Sequence, residues 1–191
     1  MDMKQVYVLL AKTETVTSKM VDLVAKGKYT HASLALTPET DKFYSYARRR
    51  LYNFLIGGIF VENIHTFVFA RFPKAPCALY EIDVSDEGYE KIKRHVDFLM
   101  ENYDTAKYSF IGALLMRLGI VWRRKKKFTC SQFVAVALDK SGEIEFPRDP
   151  YLMLPRDFLK MEQMRLIYEG TVEGCNFSGA SVFSNMDKKG Q

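Results

Sequence analysis

The sequence predicts a single α+β domain in which an antiparallel sheet of five to six strands packs against helices, one of which begins at a cysteine. Two observations carry that expectation. Short runs rich in β-branched and aromatic residues, separated by Pro, Gly, Thr and Asp, dominate the first half, whereas apolar residues at helical spacing dominate residues 85 to 140. A third observation sets the scale: 191 residues, 48% of them hydrophobic, suffice for one core, and 27% charged residues exclude a disordered or fibrous chain.

Residues 4 to 11 (KQVYVLLA) read as a buried strand, after which Thr17 or Ser18 caps a short helix ending near Gly27. His31 to Leu36 and Lys42 to Arg48 form the arms of a hairpin joined by Thr37-Pro38-Glu39-Thr40-Asp41. Residues 51 to 64 contain Gly57-Gly58 and no clean period, so an irregular loop with a short helix is expected there. His65 to Ala70 and Ala78 to Val84 read as two more strands, kept apart by Pro73 and Pro76. Ser85 starts an amphipathic helix to Tyr103, with Tyr89, Ile92, Val96, Leu99 and Met100 on one face. Tyr108 to Leu118 is a more uniformly apolar helix, expected to be buried and capped at Gly119. A further helix runs from Cys130 to Lys140, Arg156 to Met161 forms a short helix, and Arg165 to Tyr168 is a last strand. The domain spans residues 1–173, and 174–191, rich in Gly, Ser, Asn and Lys, form a flexible tail.

Val6 to Leu10 is too short for a signal sequence or a membrane span, so a cytoplasmic protein is expected. Cys77, Cys130 and Cys175 are odd in number and have no close sequence pair, which fits neither a disulfide framework nor a zinc site; reduced thiols, no metal and no cofactor follow. The net charge of +5 is modest. Its two local runs, Arg48 to Arg50 and Arg123 to Lys127, are either solvated loops or a positive field for an anionic substrate or surface.

Cys130 stands at a helix start, where unpaired amides and the helix dipole stabilise a thiolate and can also hold an oxyanion. Any member of the preceding basic run that folds back would add to this effect. The plain alternative is a small buried hydrophobe, which is the reading given to Cys77, beside Pro76, and to Cys175, in the tail. A nucleophilic cysteine needs a base, and the candidates are His31, His65 and His95. His95 lies beside Lys93 and Arg94 on the charged face of its helix and reads as solvated. His65 follows the irregular loop and is the weaker contender. His31 opens a strand and can face the start of the Cys130 helix; a base that precedes its nucleophile in the chain is no obstacle, because such sites are defined by geometry.

Tyr29-Thr30-His31-Ala32-Ser33-Leu34-Ala35-Leu36, Phe43-Tyr44-Ser45-Tyr46-Ala47-Arg48 and Phe128-Thr129-Cys130-Ser131-Gln132-Phe133-Val134 together resemble the circularly permuted NlpC-type papain-like hydrolases, the YiiX and YaeF group, to which lecithin retinol acyltransferase is distantly related. The resemblance spans about residues 4 to 170. It implies a papain-like fold and a cysteine hydrolase or acyltransferase that cleaves an amide or ester of a peptide, small amide or lipid through a thioester, with Cys130 as nucleophile and His31 as base. It also implies a third polar residue on the strand after the histidine. The sequence departs from the usual His, Asn, Gln or Glu there, and Ser45 is the choice, with Glu81 in reserve. For the oxyanion, the Cys130 amide is expected, assisted by Gln132 or Tyr108, although Tyr108 also reads as core and Gln132 as an exposed helix former. The competing reading is a catalytically inactive domain whose basic runs bind nucleic acid or a membrane surface; on the hydrolase reading no nucleic acid is expected, and contact with anionic surfaces is peripheral.

Overall fold

The computed structural model describes residues 3–12, 27–38, 42–48, 57–64 and 67–175. Among the described residues eight strands form one mixed sheet: β1 (Met3–Ala11), β2 (His31–Ala35), β3 (Phe43–Arg48), β4 (Gly57–Glu62), β5 (Pro76–Ser85), β6 (Lys107–Tyr108), β7 (Lys127–Phe128) and β8 (Arg165–Thr171). Their order is β7-β6-β4-β3-β2-β1-β5-β8, antiparallel throughout except for β6 beside β7. Among the described residues the α-helices are α1 (Phe67–Arg71), α2 (Asp86–Glu101), α3 (Phe110–Arg117) and α4 (Cys130–Asp139). The protein is therefore α+β, with a larger and more mixed sheet than the sequence predicts.

β1 is central because both of its faces are apolar. Val6, Val8 and Leu10 enter the main core with Ile92, Val96 and Leu99 of α2 and Phe133 to Leu138 of α4. Tyr7, Leu9 and Ala11 enter a second core with Phe69, Leu79 and Val172. This is the alternation a pleated strand imposes, and each fully buried large side chain contributes about 1.5–3 kcal/mol.

Several expectations change. Residues 57–62 are a strand paired with β3 over six positions rather than a loop: the register brings Gly58 opposite Ala47, and a Cβ on Gly57 would lie 2.8 Å from the Tyr108 Cβ and 2.9 Å from the Ala47 carbonyl oxygen. The paired glycines reflect close packing of β6 on β4. Phe67–Arg71 is a short helix where a strand over 65 to 70 is expected; His65 itself lies outside the described residues, as do the helix expected from Thr17 or Ser18, Arg49 and Arg50. Tyr108 belongs to a strand, and α3 starts only after Ser109, whose hydroxyl accepts from the Gly112 amide at 3.0 Å. α3 is not buried as expected, because only a narrow face, including Gly112 and Met116, reaches the protein. Cys175 is no part of a tail. It is buried in the second core, and its hydrogen bond with Cys77, reinforced by burial, holds the Cys77 thiol above the usual range. The folded body thus reaches at least two residues past the expected boundary at 173.

His95 is not solvated either. It packs edge-on against Phe128 with ring centroids 6.4 Å apart, and its Nε2 is buried with no hydrogen-bond partner among the described residues. Burial, with a smaller contribution from the Lys140 charge, pushes its pKa down to about 4. A histidine depressed on folding contributes stability that is present above its unfolded value near 6.5 and is lost as the pH falls towards 4. Acidification across that window is expected to remove up to roughly 3 kcal/mol, and His95→Phe to abolish that part of the loss, as read from urea midpoints at each pH.

Candidate active site

α4 is positioned by its own first turn. Thr129 is the N-cap: its hydroxyl accepts from the Gln132 amide at 3.3 Å, while the Gln132 side-chain oxygen accepts from the Thr129 amide at 3.0 Å. This reciprocal pair fixes where the chain turns into the helix and so fixes Cys130, whose side chain follows immediately. Gln132 is consequently not the exposed helix former of one reading. It is buried, and its amide nitrogen donates to the Tyr151 carbonyl at 2.7 Å, so both polar ends serve the backbone. Tyr108 lies in β6 opposite Phe128 with its ring in the main core. Thr129→Ala is expected to cost about 1 kcal/mol and Thr129→Ser to restore most of it, as read by urea denaturation.

His31 opens β2 at the last rung of its ladder with β1, opposite Ala11. Its ring is held on one side by Phe69 of α1, edge-on at 6.2 Å between centroids. Nε2 lies 3.0 and 3.1 Å from the two carboxylate oxygens of Glu62 and 3.1 Å from the Ser45 hydroxyl. A hydrogen bond also joins the imidazole to the Cys130 side chain. Nε2 is thus committed to Glu62 and Ser45. The β3–β4 register explains the pair on the far side: Phe43 opposes Glu62 and Ser45 opposes Phe60, so Ser45 and Glu62 lie two residues apart along one face.

The electrostatics follow from that enclosure. Burial alone would make His31 a weaker base. It is outweighed by the Glu62 charge, then by the hydrogen bonds to Cys130 and Glu62, so the imidazole is held well above its ordinary pKa of 6.5. The side chains of both His31 and Glu62 are largely buried, and such an ion pair is poorly screened. Cys130 itself is 5% exposed.

The structure therefore brings Cys130, His31 and Ser45 together and adds Glu62, which the sequence reading passed over. Its signal was the apolar run Ile59-Phe60-Val61 ending in a carboxylate, a strand pattern obscured by the preceding glycines. Glu81, the reserve candidate, lies on β5 opposite Tyr7, at the middle of β1, and is ion-paired with Arg165. Members of the basic run are engaged elsewhere: Arg123 with Asp149 at 2.6 Å, Arg124 over the Trp122 ring and Lys126 with Asn102 at 2.6 Å.

A buried cysteine at a helix start, hydrogen-bonded to a histidine that also meets a carboxylate, can perform nucleophilic acyl transfer. Comparison with protein-family models finds no match to this sequence, and no curated protein matches it.

Proposed function

We propose that this chain is a cysteine hydrolase or acyltransferase of the permuted NlpC-type papain-like kind, acting on an amide or ester through a thioester. The observation that carries the proposal is the single line of contact from Cys130 through His31 to Glu62, assembled from a helix start and two separate strands.

On this reading the Cys130 thiol proton passes to the His31 imidazole, and the thiolate attacks the substrate carbonyl carbon. The first amides of a helix have no intrahelical acceptor, and Thr129 occupies only that of Gln132. The amides of Cys130 and Ser131 are thus the donors for the oxyanion. The imidazolium, stabilised by Glu62, then gives its proton to the departing nitrogen or oxygen as the carbonyl bond to it breaks, leaving a thioester. Water, deprotonated by His31, releases the acid and restores the thiol; another nucleophile in place of water gives acyl transfer. Ser45, against the same Nε2 as Glu62, helps to fix the tautomer.

The test is mass spectrometry of the intact protein quenched in acid after mixing with a p-nitrophenyl acyl ester. An acyl adduct mapping to Cys130, absent in Cys130→Ala, supports the proposal. A wild type that gains no adduct favours the inactive, anion-binding alternative.

A further inference from the structure

We propose that the outer face of α3 and the loop that follows it dock this protein onto an anionic lipid bilayer. Ile111, Leu114 and Leu118 are 61%, 58% and 63% exposed, and their spacing of three and four residues puts them on one side of the helix. Ile120 and Val121 extend the apolar surface beyond it. The helix cannot turn this face inward, because its opposite side is fixed: the Ser109 cap holds Gly112, and the sulfur of buried Met116 accepts from the Thr129 hydroxyl at 3.6 Å.

The charge pattern selects the occupant. Between Asp104 and Asp139 the sequence has no acidic residue, whereas Lys107, Arg117 and Arg123 to Lys127 supply seven basic ones, of which Arg123 is ion-paired with Asp149. Lys125 and Lys127 are exposed, and the Arg124 guanidinium sits 3.7 Å above the centre of the half-buried Trp122 ring. An exposed apolar helix face followed directly in the chain by a tryptophan and a run of cations matches a bilayer surface, where apolar side chains enter the acyl region and cations meet anionic headgroups. A second copy of this chain would set one positive stretch against another, and a nucleic acid would leave the leucines in water. α3 lies between this face and Thr129 at the start of α4, and docking does not depend on the chemistry of Cys130.

Trp122, the single tryptophan, reports on the test. The full chain is titrated with vesicles of phosphatidylcholine containing phosphatidylglycerol and with vesicles of phosphatidylcholine alone, following Trp122 emission and co-sedimentation. A blue shift and sedimentation with the anionic vesicles, weakened by salt, are expected. Each basic residue at such a surface contributes about fivefold in affinity, so Lys125→Glu is expected to weaken binding at least that much. Leu114→Asp with Leu118→Asp is expected to abolish binding without lowering the melting temperature, because both side chains are exposed, and Cys130→Ala to bind as the wild type does. Equal affinity for neutral vesicles, no shift with either kind, undiminished binding by the leucine double variant, or a solution dimer that this variant separates would each overturn the proposal.

Discussion

Cys130→Ala and His31→Gln are each expected to reduce kcat/KM for an activated acyl ester by at least about a thousandfold, because nucleophile and base act as a unit and the loss of either removes the same step. Glutamine is the informative replacement at position 31. Alanine would leave the Glu62 carboxylate buried without its partner, and breaking a buried pair in this way costs about 3–5 kcal/mol. A glutamine amide can still donate to that carboxylate, so the loss of activity is read in a folded protein. The Cys130→Ala variant is expected to unfold within about 1 kcal/mol of the wild type, since it removes one sulfur from a helix end and leaves the Thr129–Gln132 cap intact.

Glu62→Gln is the second large effect, expected at roughly a hundredfold in kcat/KM for the same ester. Its diagnostic is the pH dependence. The Glu62 charge is the largest of the influences that raise the basicity of His31 against the opposing effect of burial. With an amide in its place, the imidazolium is lost at lower pH, and the alkaline limb of the activity profile moves down. Stability carries the same sign. A histidine raised on folding contributes stability that is complete below its unfolded value of about 6.5 and lost as the pH rises through the folded value. The advantage of the wild type over Glu62→Gln, about 2 kcal/mol in weak acid, is therefore expected to shrink in alkali. An advantage constant across pH would make Glu62 a packing residue only. Ser45→Ala, which leaves the carboxylate in place, is expected to lower activity by less than Glu62→Gln.

Where local signals were strong, the sequence reading and the structure agree closely. The strand over residues 4 to 11, the hairpin arms at His31 and Phe43, the Ser85 start of α2 and the helix beginning at Cys130 each had an apolar period bounded by turn or cap residues. The differences arose where a neighbour in space overrode the local pattern. Gly57 and Gly58 read as loop residues, yet they sit where β6 packs closely on β4, and this concealed the strand that delivers Glu62. His95 has charged sequence neighbours, but Phe128, far along the chain, covers it. Cys77 and Cys175 are almost a hundred residues apart and meet only because β8 pairs with β5. For α3 the composition suggested burial, while only a narrow face of it reaches the core. The candidate site was half legible for the same reason: helix-start and strand-start signals are local, whereas the group that orients a histidine is chosen by register between strands.

Activation of Cys130 by His31 is read out by site-resolved iodoacetamide labelling of the native protein, with Cys77, Cys130 and Cys175 quantified by mass spectrometry in wild type and His31→Gln. All three thiols are buried, so accessibility alone gives Cys130 little advantage. Cys130 is expected to be alkylated at least about tenfold faster than the other two, and His31→Gln to remove this difference. A Cys130 that reacts no faster than Cys77 and Cys175, or one whose rate is unchanged in His31→Gln, would contradict that activation.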